Sequence, residues 1–510
     1  MADLRAGQPV AVMLTATPKG SRLLPVRSEV VVVGGMALAV LALHLATNGL
    51  YDFHRDSLYY LDSARHPAWG YVDYPPITPT IARFSLWLFG PSVWGLRLWP
   101  SLAGSLMVAL TALIARELGG GRFARLLAAL GAATSLVLLG ANWLFQAVTF
   151  DEVAWLSCLW ITARLLRTGD RRLWLALGAA IGIGLETKYT IIGLAIGLAA
   201  GTVATPMRRA LLTPWPWLGV ALALTIVAPN LLWQLANDWP SLQFTFNHKS
   251  AQSLDFSPVT FLVQQLVLIG PVAIPLWVAG LWWLLSSPAR RLLGIASLVT
   301  FLLYMFTGKS YYVGPLHPFL IACGACALEA WTADRRRRLR PLAAGALIVQ
   351  AVVLLPLGLP VLPEAQMARS PLAQARTDFA ATVGWHDLVS QVASVYNELP
   401  PDERSRAVIL ANNYGEAGAV DTYGGAAGLP TAYSGELSYY YWRPKAMPGP
   451  VVAIGYDLAF LRTLFASCDT VTTITNSYGL HNEEYGLPIS VCRQPKFPLD
   501  ALWPRLKAFQ

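Results

Sequence analysis

Charged residues are scarce in this sequence, and their scarcity excludes an ordinary soluble protein. Only 13% of the 510 residues are charged, whereas 55% are hydrophobic. Soluble domains normally carry about a quarter charged residues. Two nucleotide-binding motifs are also missing. The sequence has no Asp-x-Asp, and Gly119-Gly-Gly121 lacks the Lys-Ser/Thr of a phosphate-binding loop. These features predict a membrane protein without a nucleotide site.

Long apolar runs occupy most of the first 360 residues. A spanning helix needs roughly 20 apolar residues, so an α-helical polytopic protein with about 11 to 13 transmembrane helices is predicted. The runs are 28–48, 93–115, 123–141, 152–167, 173–186, 189–206, 213–231, 259–285, 291–306, 311–330 and 341–360. The net charge of +9 comes from short basic clusters between these runs. Because they form no single patch, no nucleic-acid partner is expected.

The positions of the arginines predict the topology. Alternate loops carry them: Arg116, Arg122 and Arg125; Arg164, Arg167, Arg171 and Arg172; Arg208 and Arg209; Arg290 and Arg291; and Arg335 to Arg340. Cytoplasmic loops are rich in Lys and Arg. We therefore expect residues 1–27 in the cytoplasm of a cell with this chain in its inner membrane. The loops 50–92 and 232–258, and the chain from 361 onwards, are expected outside.

The last 150 residues lack long apolar runs and predict a separate, soluble α/β domain. The expected division is a cytoplasmic segment 1–27, a transmembrane domain 28–360 and an extracytoplasmic domain 361–510. Within the last, a helical stretch is expected near 370–396. Strands are expected at 407–410, 451–454, 471–474 and 489–491, between turn residues.

Five cysteines are present, and their positions suggest different roles. Cys468 and Cys492 both lie in the predicted outer domain, where an oxidising compartment lets them form a disulfide. Cys323 and Cys326 form a C-x-x-C inside an apolar run, without a histidine or a second pair nearby. We interpret these two as residues of helix packing rather than of a metal or redox site.

Charged residues near the membrane boundary are costly and often functional. The candidates on the predicted outer side are Asp56, Asp62, Asp73, Asp151, Glu152, Lys188, His248, Lys249 and Lys309. The mixture suits a group transfer, since a carboxylate can accept the proton of an acceptor hydroxyl. Cations can stabilise a phosphate leaving group.

Each main candidate also has a structural interpretation. For Asp56, the structural interpretation is an interfacial cap or an ion pair with Arg55. For Asp151, it is stabilisation of the carboxylate by a nearby helix N-terminus. For Lys188, it is a side chain that extends from a helix end towards the membrane interface. The set on one face is more informative than any member.

Four motifs in order resemble the protein O-mannosyltransferase and aminoarabinose transferase superfamily over about residues 30–330. They are Arg55-Asp-Ser-Leu-Tyr-Tyr60, Tyr71-Val-Asp-Tyr-Pro-Pro76, Thr149-Phe-Asp-Glu152 and Gly184-Leu-Glu-Thr-Lys-Tyr189. Lys309-Ser-Tyr-Tyr-Val-Gly-Pro315 resembles a later outward loop of the family. Leu410 to Gly418 and Tyr439 to Pro444 resemble the tail domain of bacterial members.

The resemblance implies a GT-C fold and an inverting transfer of a sugar from a polyprenyl phosphate. It implies that Asp56 is the general base, that Asp151 is the second carboxylate, and that Lys188 and Lys309 face the lipid phosphate. The other substrate-binding candidates are Asp73, Tyr74, His248, Tyr311 and Tyr312. The implied partners are the lipid-linked donor, membrane lipid, and an acceptor that is a protein, lipid A or an envelope glycan.

Two departures from the family pattern limit the resemblance. Ser57 stands where the family usually has Glu, and Asp73-Tyr74 stands where the aminoarabinose enzymes have Glu-Lys. The second departure argues against assuming aminoarabinose as the sugar. No cofactor is assigned, because His248 and Asp73 are only two candidate ligands for a divalent metal. The main alternative function is a transporter or flippase of a lipid-linked substrate.

Overall fold

The described residues up to 358 are mostly helical, because backbone groups in a bilayer must be hydrogen-bonded within the chain. The computed structural model describes residues 26–252, 257–333 and 336–509. The helices of this part are α1 (Val26–Thr47), α2 (Arg55–Arg65), α3 (Ile77–Phe89), α4 (Val93–Glu117), α5 (Arg122–Ala133), α6 (Leu136–Trp143), α7 (Ala147–Thr168), α8 (Leu173–Leu185), α9 (Ile191–Val203), α10 (Pro214–Ala236), α11 (Pro240–Gln252), α12 (Pro258–Ile269), α13 (Ile274–Leu285), α14 (Arg291–Thr307), α15 (Leu316–Trp331) and α16 (Leu339–Gly358), with 3₁₀ helices at Pro206–Leu212 and Ser310–Val313.

Four described helices, α1, α4, α10 and α16, are long and apolar enough to cross a membrane by themselves. The number rises to seven if three bent helix pairs each form one span, and α8, α14 and α15 are shorter apolar helices. Two predicted spans are wrong as continuous helices. The run 123–141 is divided into α5 and α6, which are bent by 48°. The run 259–285 is divided into α12 and α13, which meet at an angle of 109°. The bend follows Gly270, whose φ of +81° is a conformation that ends a helix readily only at glycine.

The predicted helix-packing role of the C-x-x-C is consistent with the structure. Cys323 and Cys326 are free and buried in α15, which packs against α13. A Cβ atom added to Gly324 would lie 2.0 Å from the Leu276 carbonyl oxygen. Small residues are therefore needed where these two helix backbones approach.

One end of the bundle collects the arginines of the loops. Arg164 and Arg167 of α7 both pair with Glu117 at the end of α4, at 3.5 and 2.5 Å. Arg125 of α5 pairs with Glu29 of α1 at 3.0 Å. We call this end the arginine face and the opposite end the cavity face. Asp151 and Glu152 lie at the cavity face, near the other end of α7.

The chain after α16 combines short helices with a mixed sheet. The helices are α17 (Glu364–Ala368), α18 (Leu372–Ala375), α19 (Thr377–Ala380), α20 (Trp385–Asn397), α21 (Pro401–Arg404), α22 (Tyr414–Tyr423), α23 (Leu458–Leu464) and α24 (Leu499–Leu502), with 3₁₀ helices at Gly424–Ala427, Leu437–Trp442 and Trp503–Leu506. The strands are β1 (Val408–Ala411), β2 (Ala432–Ser434), β3 (Val451–Ile454), β4 (Phe465–Thr473) and β5 (Pro488–Pro495). Sequence analysis missed β2, which has only three residues.

The sheet has the order β2-β1-β3-β5-β4. The pairs β1/β2 and β1/β3 are parallel, and β3/β5 and β4/β5 are antiparallel. Cys468 of β4 lies opposite Cys492 of β5. A disulfide joins the two residues, with Cα atoms 4.1 Å apart. The cross-link therefore connects the edge strand β4 to its neighbour.

This C-terminal part packs directly on the outer helix α2. One hydrophobic cluster contains Leu58 and Tyr59 of α2 together with Ala417 of α22 and Ile409 of β1. Gly418 allows the close approach, since a Cβ atom there would lie 2.8 Å from the Leu58 Cβ. The sheet and its helices are thereby placed over the loop that carries Asp56.

Candidate active site at the membrane boundary

A cavity of about 590 Å³ opens at the cavity face between the spans and the C-terminal part. Part of the lining is apolar and comes from α6, α12 and α16, with Leu136, Val267 and Leu357 among its residues. The lining also includes Asp56, Glu152, Tyr311, Arg376 and Asp378. A cavity lined by both apolar and charged residues suits a ligand that has a lipid chain and a polar head.

Asp56 lies in the first turn of α2, and its side chain is 38% exposed. His54 caps this helix by accepting from the Asp56 backbone N–H at 3.2 Å. The predicted alternative of an ion pair with Arg55 is not what the structure shows, because Arg55 pairs with Glu483. Asp56 Oδ1 instead accepts a hydrogen bond from the Tyr414 hydroxyl at 2.8 Å. The carboxylate is thus oriented and still open to the cavity.

Asp151 has different surroundings from those predicted. Helix α7 begins at Ala147, so Asp151 is beyond the first turn and does not cap the helix. One carboxylate oxygen accepts from Trp155 Nε1 at 3.1 Å and the other from the Thr190 hydroxyl at 2.5 Å. Asp151 is 3% exposed and is not among the described residues that line the cavity. Its negative charge acts from behind the cavity wall.

Glu152, the next residue, lines the cavity. It was among the charged candidates of the sequence, but no role was assigned to it. It is fully buried, and neither carboxylate oxygen has a hydrogen-bond partner among the described residues. An unpaired buried carboxylate is expensive, which marks Glu152 as a candidate for contact with a ligand. The sequence did contain a signal, since Glu152 belongs to the same Asp-Glu pair as Asp151.

Two lysines from distant parts of the chain meet these carboxylates. Lys188 follows α8, and its charge interacts with those of Asp151, Glu152, Asp56 and Lys309. The Lys188 ammonium also lies 5.1 Å from the ring centres of both Tyr311 and Tyr312. Tyr311 and Tyr312 belong to the 3₁₀ helix Ser310–Val313, directly after Lys309. Four predicted site residues are therefore grouped here, with Asp56 and Asp151 beside them.

Asp73 and Tyr74 lie elsewhere. Asp73 accepts a hydrogen bond from the Tyr59 hydroxyl at 3.0 Å, and burial raises the pKa of Asp73 to about 8. Tyr74 is 4% exposed, with its hydroxyl 2.7 Å from that of Ser63. Neither appears among the described residues that line the cavity. These contacts support a structural role for both residues beneath the C-terminal part.

No metal centre is formed by the part of the chain that the structure describes. Within residues 26–252, 257–333 and 336–509, no group of three His, Cys, Asp or Glu side chains is arranged to hold a metal ion. His248, one of the two suggested ligands, belongs to α11, but its side chain lies outside the described residues. The suggested metal ligation by His248 together with Asp73 therefore stays a prediction.

The C-terminal part supplies site residues that local sequence patterns did not predict. Arg376 and Asp378 line the cavity and form an ion pair at 3.0 Å. Asp378 also lies 3.9 Å from His54 Nε2. Tyr414 reaches Asp56 across 358 positions of sequence. These contacts depend on how the C-terminal part docks, which no single motif encodes.

Comparison with known proteins gives one family match. Residues 73–233 match the family model described as dolichyl-phosphate-mannose-protein mannosyltransferase. No curated protein sequence matches the chain significantly.

Two crystal structures of ArnT from Cupriavidus metallidurans are similar to the chain. The one bound to undecaprenyl phosphate has a TM-score of 0.56 and 17% identity, covering 92% of this chain and 98% of that one. The apo structure has a TM-score of 0.54 and 16% identity, covering 91% and 98%. The arabinofuranosyltransferase AftD from Mycobacteria has a TM-score of 0.52 and 14% identity, covering 92% of this chain and 42% of AftD.

These structural likenesses establish the GT-C fold that the resemblance implied. The family match adds the reaction class and indicates a glycosyltransferase. It spans Asp73, Asp151 and Lys188 but ends before Lys309.

Proposed function

We propose that this chain, a membrane glycosyltransferase by its family match and its fold, transfers a sugar from a polyprenyl phosphate to an acceptor hydroxyl. The observation that carries the proposal is a cavity whose lining combines Asp56, Glu152 and Tyr311 with apolar residues of α6, α12 and α16. A polyprenyl phosphate has the same division, a long apolar chain joined to an anionic head. The neighbouring ArnT structure contains undecaprenyl phosphate, which supports this class of donor.

The proposed reaction assigns one role to each charged group. Asp56 accepts the proton as the acceptor oxygen bonds to the anomeric carbon of the sugar. The bond from that carbon to the phosphate oxygen breaks, and the lipid phosphate leaves with the electron pair. Lys188 and Lys309 stabilise its negative charge. Attack opposite the leaving phosphate inverts the anomeric configuration.

Lys188 is well placed for this role because it is held from several sides. Tyr311 and Tyr312 provide ring faces for the ammonium, and Asp151 provides a negative charge that keeps it in position. Lys309 lies close enough for the two like charges to interact. Two adjacent cations repel each other, and an anionic phosphate between them would relieve that repulsion.

The proposed location places the cavity face and the C-terminal part outside the cytoplasm. The arginine face supports this orientation, because Lys and Arg are enriched in cytoplasmic loops. We take residues 361–510 as the outer domain. An alkaline phosphatase fused after residue 365 should be active in cells, and a reporter that works only in the cytoplasm should be silent there. The reverse result would overturn the orientation.

The direct test is turnover by the purified, reconstituted chain. Undecaprenyl phosphates carrying hexoses, pentoses or aminoarabinose are offered with three acceptor classes: Ser/Thr peptides, lipid A and envelope glycans. We expect one donor and acceptor pair to release undecaprenyl phosphate together with an equal amount of new glycoside of inverted configuration. Movement of a labelled sugar lipid across the bilayer without glycoside would instead establish the flippase.

A further inference from the structure

Helix α22 connects the C-terminal part to the outer loop at two tyrosines. The Tyr414 hydroxyl donates to Asp56 Oδ1 at 2.8 Å. At the other end of the helix, the Tyr423 hydroxyl donates to Asp52. Both bonds join the same helix to the same stretch of chain before and at the start of α2. Only the first ends on the carboxylate that faces the cavity.

Tyr414 is fixed by contacts that do not involve Asp56. Its backbone N–H donates to the Glu436 carboxylate at 2.8 Å. Its ring packs against the Tyr59 ring with centroids 4.9 Å apart, and the Arg55 guanidinium lies 4.8 Å from its ring centre. The residue before it, Asn413, caps α22 through a capping box with Glu416. The fold therefore sets the direction of the hydroxyl.

The consequence for Asp56 is that its two oxygens differ. Oδ1 is occupied by the Tyr414 hydroxyl, whereas Oδ2 has no hydrogen-bond donor among the described residues. His54 Nδ1 lies 3.8 Å from Oδ2, but this nitrogen already accepts the Asp56 backbone N–H. Burial and the charge of Asp56 raise the pKa of the Tyr414 phenol. The phenol hence stays protonated and donates.

We infer that Tyr414 is a positioning residue for the transfer, which holds Asp56 Oδ1 and leaves Oδ2 directed towards the acceptor. The inference rests on the proposed function and extends it to the C-terminal part, which becomes a component of the active site. A hydrogen bond to one oxygen of a carboxylate fixes the orientation of the group, so the other oxygen is held where it can accept the proton. Tyr414 thus acts through Asp56 rather than on the substrate.

Two matched variants test the inference on the full chain, Tyr414→Phe and Tyr423→Phe. Each removes one hydroxyl that joins α22 to a carboxylate of the outer loop. For Tyr414→Phe we expect kcat at neutral pH to fall about tenfold, the size expected for one charge-assisted hydrogen bond. The donor KM should stay within about twofold in the same assay, and Tyr423→Phe should match wild type.

A third variant protects the test against a folding defect. Tyr414→3-fluorotyrosine keeps the ring and makes the phenol a stronger donor. It should keep kcat within about twofold of wild type, while binding of undecaprenyl phosphate reports that each variant is folded. Equal losses in both phenylalanine variants would mean that the hydroxyls only dock the C-terminal part. A loss of kcat in the fluorotyrosine variant as large as that in Tyr414→Phe would also overturn the inference.

The outcomes separate this inference from the proposed function. Wild-type turnover with an unaffected Tyr414→Phe would overturn the inference alone. Wild type that forms no glycoside from any offered donor would overturn the proposed function, and the inference with it.

Discussion

The start of α2 and the start of α7 each bring a carboxylate to the cavity face, and the two differ in how completely they are satisfied. The Asp56 side chain on α2 is 38% exposed, with one hydrogen bond from the C-terminal part. Asp151 on α7 is 3% exposed, with both oxygens bonded to Trp155 and Thr190. Asp151 is buried and is not among the described residues that line the cavity, so an incoming acceptor hydroxyl does not reach it. Asp56 lines the cavity and is accessible to one.

The difference shows that the two carboxylates of this site are suited to different roles. Asp56 is suited to proton transfer, because it borders the cavity and keeps one oxygen free of described donors. Asp151 is suited to holding Lys188 in position, since its charge acts on that ammonium from a fixed place. Glu152 stands between these cases, buried like Asp151 yet unpaired and directed at the cavity.

The largest expected effect comes from removing the charge at α2. Asp56→Asn keeps the size of the side chain but cannot accept the acceptor proton. Turnover should fall about a hundredfold or more, since general-base catalysis contributes roughly 10² to 10⁴. Binding of undecaprenyl phosphate should be nearly unchanged. The measurement is initial rate at saturating donor.

The control is Asp170→Asn, at an exposed carboxylate near the arginine face. This variant should have the same turnover and donor binding as wild type. If Asp56→Asn keeps near-normal turnover while Asp151→Asn abolishes it, the roles assigned to α2 and α7 are reversed.

The next effect concerns the cation that α7 holds. Lys188→Ala removes a proposed contact to the donor phosphate, so the donor KM should rise by about 10- to 100-fold, as for a lost charge-assisted hydrogen bond. The acceptor KM should change by less than about twofold in the same measurements. Lys445→Ala, at an exposed lysine of the C-terminal part, is the control. A defect confined to the acceptor would place Lys188 on the other side of the reaction.

A smaller effect on turnover is expected at α7 itself. In Asp151→Asn, an NH₂ group replaces one carboxylate oxygen, so either Trp155 or Thr190 loses its hydrogen-bond acceptor. The free energy of unfolding should fall by about 1 to 3 kcal/mol, and turnover by less than about tenfold. Thr190→Val removes one of the same bonds without changing the charge. If it destabilises the protein equally yet leaves donor binding intact, the charge of Asp151 is what Lys188 requires.

How much of this was predictable depends on whether the information is local. The predicted span 93–115 corresponds closely to α4 (Val93–Glu117), because a long apolar run by itself predicts a spanning helix. The break between α12 and α13 was missed, since apolar residues continue on both sides of Gly270. Lys188 and Lys309 were both found as cations at the ends of helices on one face.

The remaining site residues depend on tertiary contacts. Glu152 was a charged candidate without an assigned role, because the pattern alone does not tell which member of the Asp151-Glu152 pair lines the cavity. Tyr414 lies in a motif that the sequence associates with the tail domain. Nothing in its neighbourhood predicts a partner 358 residues earlier. That contact follows from the docking of α22 on α2.

The smallest expected effect tests whether Asp73, another carboxylate of the outer loop, has a structural role. Asp73 lies near Asp56 in sequence but bonds Tyr59. Burial raises the pKa of Asp73 from 3.8 to about 8. Between those pH values the unfolded carboxyl is ionised and the folded one is still protonated, so unfolding releases a proton. Stability due to this group is complete below about pH 4 and is lost as the pH rises to about 8.

Asp73→Asn removes this loss and should therefore unfold at a higher temperature than wild type at pH 8, by about 2 °C. At pH 5 the gain should be smaller. The decline of Tm with pH should become shallower without vanishing, because burial also raises the pKa of Glu436 to about 7. Thermal unfolding at both pH values provides the measurement, with Asp500→Asn, an exposed carboxylate, as the control. Turnover should stay within about twofold of wild type, since Asp73 does not reach the cavity. A variant with unchanged pH dependence but strongly reduced turnover would assign Asp73 to the substrate, and the division between α2 and α7 would have to include it.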